Sequence, residues 1–249
     1  MKDLFSRNEL FWGVDFQKAL DALHVAVFGL GGVGGFCVET LARAGVGTLT
    51  IVDFDDVSVS NINRQIVATC STVGDKKTKL FEKRLKDINP NIRLNVITDF
   101  YTDKFDIGDC DFVVDAIDTM RSKISLLETC VKNNIPVVTS MGAGNRMDPT
   151  QLYICDIKDI ENKNAPFVSN VLYQLKKVGI ETGITAVVSR EKPFSKDKIS
   201  EHETVKTNAG EEIDFVKIVP SSTPFVASVA GIYMAWVVID KFKKDFKNA

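Results

Sequence analysis

Short apolar runs alternate with longer amphipathic segments along the first 145 residues of the chain. The runs are rich in β-branched residues and short enough to be buried strands, at residues 24–28, 48–53, 93–98, 111–117 and 135–140. The segments between them repeat apolar residues at helical spacing, over 33–44, 73–88 and 119–133. Strands that alternate with helices build a mostly parallel sheet with helices on both faces. The pattern therefore predicts a Rossmann-like, doubly wound α/β fold.

The pattern is less regular outside this region. Residues 1–22 are predicted as one or two helices, and residues beyond Met141 as a strand, a helix ended by Gly179 and a second strand. Residues 190–214 are charged and contain few large apolar side chains, so we predict a mobile loop there. The short run at 216–220 is expected to return to the sheet, which gives the fold an elaborated C-terminal half.

Composition narrows the class of protein. With 45% hydrophobic residues, 26% charged residues and a net charge of −2, the chain is typical of a soluble globular protein without general affinity for nucleic acid. Its five cysteines form no CxxC pair, which favours a cytoplasmic location and argues against a cysteine-based structural zinc site. Residues 225–239 are apolar but shorter than the roughly 20 residues of a membrane-crossing helix. We predict a buried helix, with a membrane anchor as the alternative.

The first strand is followed by the glycine pattern GxGxxG, made by Gly29, Gly31 and Gly34, with Gly32 as an additional glycine. Glycines are needed there because side chains would keep the backbone N–H groups from a phosphate at the start of the helix. Asp53 follows about twenty residues later, where a carboxylate can accept a ribose hydroxyl. This context predicts a nucleotide site, but it does not separate NAD from ATP.

A polar segment after Asp53 indicates which nucleotide is bound. It brings clustered polar groups next to the predicted site: Asp55, Asn61, Arg64, Gln65 and Lys77. Arginine and lysine beyond the ribose suit a triphosphate that is attacked at its α-phosphorus. Asp118, after the next strand, can hold Mg²⁺ on the phosphates. Neither of the two histidines, His24 and His202, has the setting of a proton shuttle for hydride transfer.

These motifs resemble the adenylating enzymes of the ThiF/MoeB/HesA group, which are related to ubiquitin-activating enzyme. The matching stretches are GLGGVGG, IVDFDDVSVSNINRQ, VGDKK, INP and VVDAID. The resemblance implies ATP-dependent adenylation of a carboxylate by a single adenylation domain over 1–249, with a nucleotide-binding half (1–145) and a substrate-side half (146–249). It also implies that the glycine loop and Asp53 hold the nucleoside and that Asn61, Arg64 and Lys77 contact the phosphates. Asp118 would then coordinate Mg²⁺.

Arg7, in the stretch SRNELFWG, matches the arginine that reaches into the partner subunit's site in this family, which implies a homodimer. Members that activate ubiquitin-like sulfur carriers usually carry two CxxC zinc motifs, which this chain lacks, and no cysteine follows Cys155. The second half contains the stretches PVVTSMGAGNRMDPTQLYICDI, VLYQLKKVGIETGITAVVSREKP and IVPSSTPFVASVAGIYMAWVVID. These resemble the branch of the family that dehydrates threonylcarbamoyladenosine in tRNA, in which the substrate supplies its own nucleophile.

That resemblance implies a modified tRNA as the substrate and leaves sulfur-relay proteins as possible partners. Basic residues crowd residues 76–86 and the C-terminal segment 241–247, where RNA phosphates can bind. Three alternatives stay open: adenylation of a ubiquitin-like or sulfur-carrier protein, a nucleotide-binding scaffold without chemistry, and an oxidoreductase.

Overall fold

A seven-stranded sheet with the strand order β3-β2-β1-β4-β5-β7-β6 forms the centre of the computed structural model, which describes residues 4–103, 105–194 and 199–248. The strands are β1 (His24–Phe28), β2 (Thr48–Val52), β3 (Arg93–Ile97), β4 (Phe112–Asp115), β5 (Val137–Ser140), β6 (Leu152–Asp156) and β7 (Thr185–Ser189). Strands β1 to β5 and β7 pair in parallel, and the edge strand β6 pairs antiparallel with β7. The predicted mostly parallel sheet is confirmed.

Helices cover both faces of this sheet. They are α1 (Ser6–Trp12), α2 (Val14–Ala22), α3 (Gly34–Ala44), α4 (Lys77–Ile88), α5 (Met120–Lys132), α6 (Pro166–Lys177) and α7 (Pro224–Asn248). Alternate residues of β1 face opposite sides: Val25 and Val27 join a core with α3, α4 and α7, while Ala26 and Phe28 join one with α5 and α6. Because both faces are buried, β1 is a continuous apolar run rather than an alternating one. The doubly wound arrangement is confirmed.

The C-terminal apolar run lies inside α7. By length and hydropathy, Pro224–Lys247 is the one span among the described residues that can cross a membrane. Its inner side is buried in the core with α3, through residues that include Val226, Ala230, Met234 and Val238. A Cβ atom added at Gly231 would lie 2.2 Å from the Val33 carbonyl oxygen, so the glycine allows close packing against the start of α3. These contacts confirm the predicted buried helix.

The prediction of a loop over 190–214 is wrong for most of that range. Strands β8 (Ile199–Lys206) and β9 (Glu212–Val219) form an antiparallel hairpin, and residues 195–198 lie outside the described part. Its turn is closed by Thr207 and has a left-handed glycine, Gly210, with φ of 83°. Residues 216–219 therefore pair with β8 and do not return to the large sheet.

The predicted start of α4 at residue 73 is also wrong. The helix begins at Lys77, because Gly74 has a φ of 93° and residues 69–75 form hydrogen-bonded turns instead.

Candidate functional site

The turn between β1 and α3 has a geometry that only glycine allows. Gly29 has a φ of 88°, and its N–H donates to the Val52 carbonyl at 2.9 Å. A Cβ atom at Gly34 would lie 1.8 Å from the Gly29 carbonyl oxygen. Because the chain folds back on itself so tightly, the first turn of α3 is open at the carboxyl end of the sheet. That is where doubly wound proteins bind phosphates.

Asp53, directly after β2, supports this turn. Its Oδ2 accepts the Leu30 N–H at 2.6 Å and its Oδ1 accepts the Asp55 N–H at 2.8 Å. Burial raises the pKa of Asp53, while Lys77 and these N–H groups act to lower it. Asp53 lies beside the glycine loop as predicted, and its role as a ribose ligand stays a prediction.

Lys77 is the first residue of α4 and is 3% exposed. Its Nζ lies 2.6 Å from Asp55 Oδ2 and 3.9 Å from Asp53 Oδ1. The structure therefore brings three of the predicted residues together as a buried cation between two carboxylates. The predicted contact of Lys77 with a phosphate stays a prediction.

Arg64 and Gln65 pack against the glycine loop. A Cβ atom at Gly32 would lie 3.3 Å from Arg64 Cγ, and one at Gly31 would lie 3.7 Å from Gln65 Nε2. Gln65 is 7% exposed, and its Oε1 has no hydrogen-bond partner within the described ranges. A buried acceptor without a donor is costly, so a ligand hydroxyl or amide would suit it.

The neighbours of Arg64 hold it over the loop. Its Nη1 donates to the Ser60 carbonyl at 2.7 Å and to Asn63 Oδ1 at 2.8 Å. Burial lowers the pKa of Arg64, and the nearby charge of Asp118 opposes that shift. Asn61 caps the short helix ahead of Arg64, where its Oδ1 accepts the Ser58 N–H at 3.1 Å. Arg64 and Asp118 are therefore close enough for their charges to interact, and their predicted roles at the phosphates stay predictions.

Asp118 lies in the turn between β4 and α5, next to a second carboxylate that is already engaged. Asp115 is fully buried, and its Oδ2 accepts hydrogen bonds from Lys123 at 2.5 Å and from Thr139 at 2.6 Å. The Oδ1 of Asp115 accepts the Ile117 N–H at 3.1 Å, which shapes the turn. Asp118 is exposed in this turn, and its role as a Mg²⁺ ligand stays a prediction.

A metal at this position needs more than the protein. Among the described residues, no group of three or more histidine, cysteine, aspartate or glutamate side chains can hold a metal ion. One carboxylate with triphosphate oxygens is a donor set that Mg²⁺ accepts. The residues present fit Mg²⁺ only in the company of a nucleotide.

Arg7 does not join this site in its own chain. It lies exposed in α1, and its neighbour Asn8 donates to the carbonyls of Arg43 and Ala44 at the carboxyl end of α3. The glycine loop is at the other end of α3, about 16 Å away for a helix of this length.

The loop after β5 was missed in the sequence, although it lies at the same edge of the sheet. Arg146 is 5% exposed, and burial lowers its pKa against the opposing charge of Glu191. Asn145 before it has a φ of 58°, unusual for a residue other than glycine. The glycines of the stretch GAGNR are the signal that marks a tight turn there.

Comparison with known proteins identifies the family. Residues 5–239 match the ThiF family. The chain belongs to the ThiF family. It is similar to the tRNA threonylcarbamoyladenosine dehydratase of Bacillus subtilis strain 168, with 41% identity over 98% of this chain and 96% of that protein.

Crystal structures from Escherichia coli resemble this ThiF-family chain along its length. They show tRNA N6-threonylcarbamoyladenosine dehydratase, TcdA, in complex with ATP and with AMP. Each has a TM-score of 0.84 and 28% identity, and the match covers 98% of this chain and 95% or 96% of theirs. The predicted family and fold are confirmed.

The basic segments of this ThiF-family chain are less free than the sequence indicates. Lys77 is buried, and Arg84 is paired with Glu39. Other lysines of the two segments form ion pairs with neighbouring carboxylates: Lys76, Lys79, Lys86, Lys241 and Lys244. Their exposed ammonium groups can still exchange these partners for phosphates, because surface ion pairs are weak.

Proposed function

We propose that this chain is an ATP-dependent tRNA threonylcarbamoyladenosine dehydratase acting as one adenylation domain over residues 1–249. The observation that carries the proposal is the packing of Arg64 and Gln65 against Gly32 and Gly31, with the charge of Asp118 near Arg64. Cationic and polar groups over a phosphate-binding loop suit attack on a triphosphate and have no use in hydride transfer. The similarity to the Bacillus subtilis dehydratase, over almost the full length of both chains, supports the same substrate.

In this proposal the threonyl carboxylate of the modified adenosine attacks the α-phosphorus of ATP, and pyrophosphate leaves. A nucleophile of the same nucleoside then attacks the acyl carbon, the ring closes and AMP departs. The net change in the tRNA is the loss of one water. Arg64 offsets negative charge on the phosphates, and Asp53 holds the ribose. No enzyme cysteine is required, in agreement with the lack of cysteines after Cys155.

Mg²⁺ belongs to the proposal as a partner of ATP. When bound through Asp118 and the triphosphate, it would withdraw charge from the phosphate oxygens and so assist the departure of pyrophosphate. Lys77 would leave Asp55 for a phosphate as the nucleotide enters, and Gln65 Oε1 would gain a donor from the ligand.

The partners and location follow from the same proposal. The exposed lysines of α4 and the C-terminal turns of α7 would contact tRNA phosphates. Arg7 would enter the site of a second copy, which makes the enzyme a homodimer, and a tRNA-modifying enzyme of this kind would work in the cytoplasm. Sulfur-relay proteins are further candidate partners, as the family resemblance implies.

The proposal is tested by mass spectrometry of tRNA nucleosides after incubation with the protein, ATP and Mg²⁺. We expect loss of water from threonylcarbamoyladenosine, with AMP and pyrophosphate formed in equal amounts. Arg64→Ala should abolish the conversion. Lys132→Ala, at the exposed C-terminal end of α5 and therefore at the opposite edge of the sheet, is the matched control and should keep it.

Pyrophosphate exchange separates the remaining classes. Exchange that needs modified tRNA supports the dehydratase, whereas exchange driven by a small protein ending in Gly-Gly would replace it with the sulfur-carrier function. Binding of NAD without ATP turnover would contradict both adenylation functions.

A further inference from the structure

Arg146 has one edge of its guanidinium occupied and the other empty. Its Nη1 donates to the carbonyls of Gly142 at 2.7 Å and Gly144 at 3.0 Å. Its Nε and Nη2 are buried and have no hydrogen-bond partner in the described part of the chain. These two nitrogens form the side-on fork with which arginine binds a carboxylate or phosphate through two parallel hydrogen bonds.

Other arginines in the chain show this fork filled. Arg190 donates from Nε and Nη2 to the two oxygens of Glu161 at 2.9 and 2.8 Å. Arg84 does the same with Glu39 at 2.5 and 3.1 Å. Both of these arginines are considerably more exposed than Arg146, for which an unpaired charge costs more. A fork that is buried and unfilled indicates that an anionic ligand completes it.

The surrounding backbone holds Arg146 in place at the cost of strain. Asn145 is left-handed, its N–H donates to the Ser221 carbonyl at 2.7 Å, and its Oδ1 accepts from both Ser221 N–H and Oγ at 2.9 Å. The Phe194 N–H donates to the Asn145 carbonyl at 2.6 Å. Left-handed residues other than glycine persist where the surroundings fix them, often beside binding sites.

The position of this fork along the sheet indicates its ligand. The order β2-β1-β4-β5 presents, in turn, Asp53 for the ribose, the glycine loop, Asp118 for the phosphates, and then the Arg146 loop. The segment that holds Asn145 also reaches the phosphate side, since Asn63 Nδ2 donates to the Ser222 carbonyl at 2.9 Å and Asn63 contacts Arg64. The Arg146 loop thus follows the phosphates on the side away from the ribose, where the group that attacks the α-phosphorus must enter.

We propose that Arg146 binds the carboxylate that is to be adenylated, through its Nε and Nη2 edge, and so acts as a positioning and specificity residue for the acid substrate. This inference rests on the proposed function for the identity of that acid. The fork is closed to solvent, so binding requires the contact between residues 142–146 and 220–223 to open. Glu191 stays bound to the N–H groups of Met147 and Asp148 and does not compete for the fork.

The test compares two ligands by calorimetry in the presence of a non-hydrolysable ATP analogue. They are the nucleoside threonylcarbamoyladenosine and its carboxamide, which has the same shape without the charge. We expect the protein to bind the acid at least about tenfold more tightly, as a charge-assisted bidentate pair allows. Arg146→Gln should abolish the preference, Arg146→Lys should retain part of it, and the control Arg190→Gln should keep it whole.

Several outcomes would overturn the inference. The first is an unchanged preference for the acid in Arg146→Gln. The second is a loss of affinity for the ATP analogue alone, which would assign the fork to a phosphate. The third is a lower melting temperature as the sole effect of the substitution. The assay does not depend on turnover. If the protein prefers the acid through Arg146 but does not convert tRNA, the proposed function is wrong and the carboxylate site is supported. If the protein converts tRNA without that preference, the proposed function is supported and the carboxylate site is wrong.

Discussion

At the scale of single residues, the buried Lys77 and Asp53, with the half-buried Asp55, form a charged group that matters for both stability and function. Lys77 lies between two carboxylates that would otherwise repel each other, and burial already raises the pKa of Asp53. Removing the cation leaves buried negative charge unpaired, which is more harmful than removing a whole ion pair.

Lys77→Met is expected to lower the free energy of unfolding by about 2–3 kcal/mol at neutral pH. The loss should shrink as the pH falls, because protonation of Asp53, whose pKa burial already raises, removes its unpaired charge. Chemical denaturation at several pH values measures this, with Lys79→Met on the exposed side of α4 as the control. A loss of equal size at all pH values would contradict the ionic explanation. ATP should also stabilise the wild type more than Lys77→Met.

At the scale of elements, Glu39 links α3 to α4. It is 8% exposed and accepts hydrogen bonds from Arg43 of its own helix and from Arg84 of α4. Burial acts to raise the pKa of Glu39, but the two arginines outweigh it, so the pKa lies below its ordinary value of 4.5. A lowered carboxyl pKa contributes stability that is present above the unfolded-state pKa and lost as the pH falls through the folded-state value.

Glu39→Gln should therefore lower the free energy of unfolding by about 1 kcal/mol at neutral pH, a modest value because both arginines are partly exposed. The difference from the wild type should shrink once the pH falls below 4.5, as Glu39 becomes protonated in the folded state. Thermal unfolding followed between pH 3 and 7 measures it, with Glu128→Gln, which pairs only on the surface of α5, as the control. A difference that persists in acid would mean that packing, and not charge, carries the effect.

Gly231 governs how closely α7 approaches α3. A Cβ atom there would meet the Val33 carbonyl oxygen at 2.2 Å and the Phe36 Cβ at 3.0 Å. Gly231→Ala should destabilise the protein by about 2 kcal/mol, although alanine favours the helix by about 1 kcal/mol. Urea denaturation measures this, with Ser228→Ala one turn earlier in α7 as the control. Since α3 begins at the glycine loop, affinity for ATP should fall as well; a stabilised variant would refute the close contact.

The elements predicted well are those whose signal is local. Strand β1 was predicted with its observed bounds, His24–Phe28, because a parallel strand buried on both faces is a continuous apolar run. The hairpin of β8 and β9 was missed because its charged residues resemble a solvated loop. What orders it is distant in sequence: Phe215 packs on Phe100 with ring centres 5.5 Å apart, and Asn208 donates to the Thr98 carbonyl.

The residues of the candidate site also divide into those that a local sequence signal predicts and those that it does not. Arg64 and Gln65 were found because they follow a recognisable strand and glycine loop, and the structure brings both against that loop. Arg146 was missed because an arginine in a polar stretch has the same appearance whether its fork is filled or empty. Only the carbonyls of Gly142 and Gly144 reveal which edge of its guanidinium is left over.

At the scale of the whole molecule, the outer surface of α1 and α7 has the composition of an interface. Leu10 and Phe11 are 81% and 79% exposed, and Trp236 on α7 is 54% exposed. The two helices contact each other near the end of α7, where Lys243 Nζ is 5.2 Å from the centre of the Phe11 ring. Large apolar side chains grouped on one surface favour association, and a symmetric dimer would bury them.

Arg7 lies on α1, the helix that also carries the exposed Leu10 and Phe11, so an interface formed by this surface would include Arg7. If Arg7 completes the site of a second copy, Arg7→Ala and Arg64→Ala are each inactive alone but complement each other. A mixed dimer holds one site with its own Arg64 and the partner's Arg7 intact. Random exchange of equal amounts should then restore about a quarter of wild-type activity, since half the dimers are mixed and each has one working site.

The experiment co-expresses the two variants with different affinity tags, isolates the mixed dimer and measures AMP release on modified tRNA. In the isolated mixed dimer one site of two works, so about half of wild-type activity is expected. Each variant mixed with itself is the control. Adding Phe11→Glu to both chains should give monomers by analytical ultracentrifugation and remove the restored activity together with the dimer. Arg7 lies at the far end of α3 from the glycine loop of its own chain, which argues against action within one chain. If Arg7 nevertheless acted within its own chain, no mixture of the two variants would regain activity. Restoration without dimers, or dimers without restoration, would contradict the role of Arg7 in the partner's site.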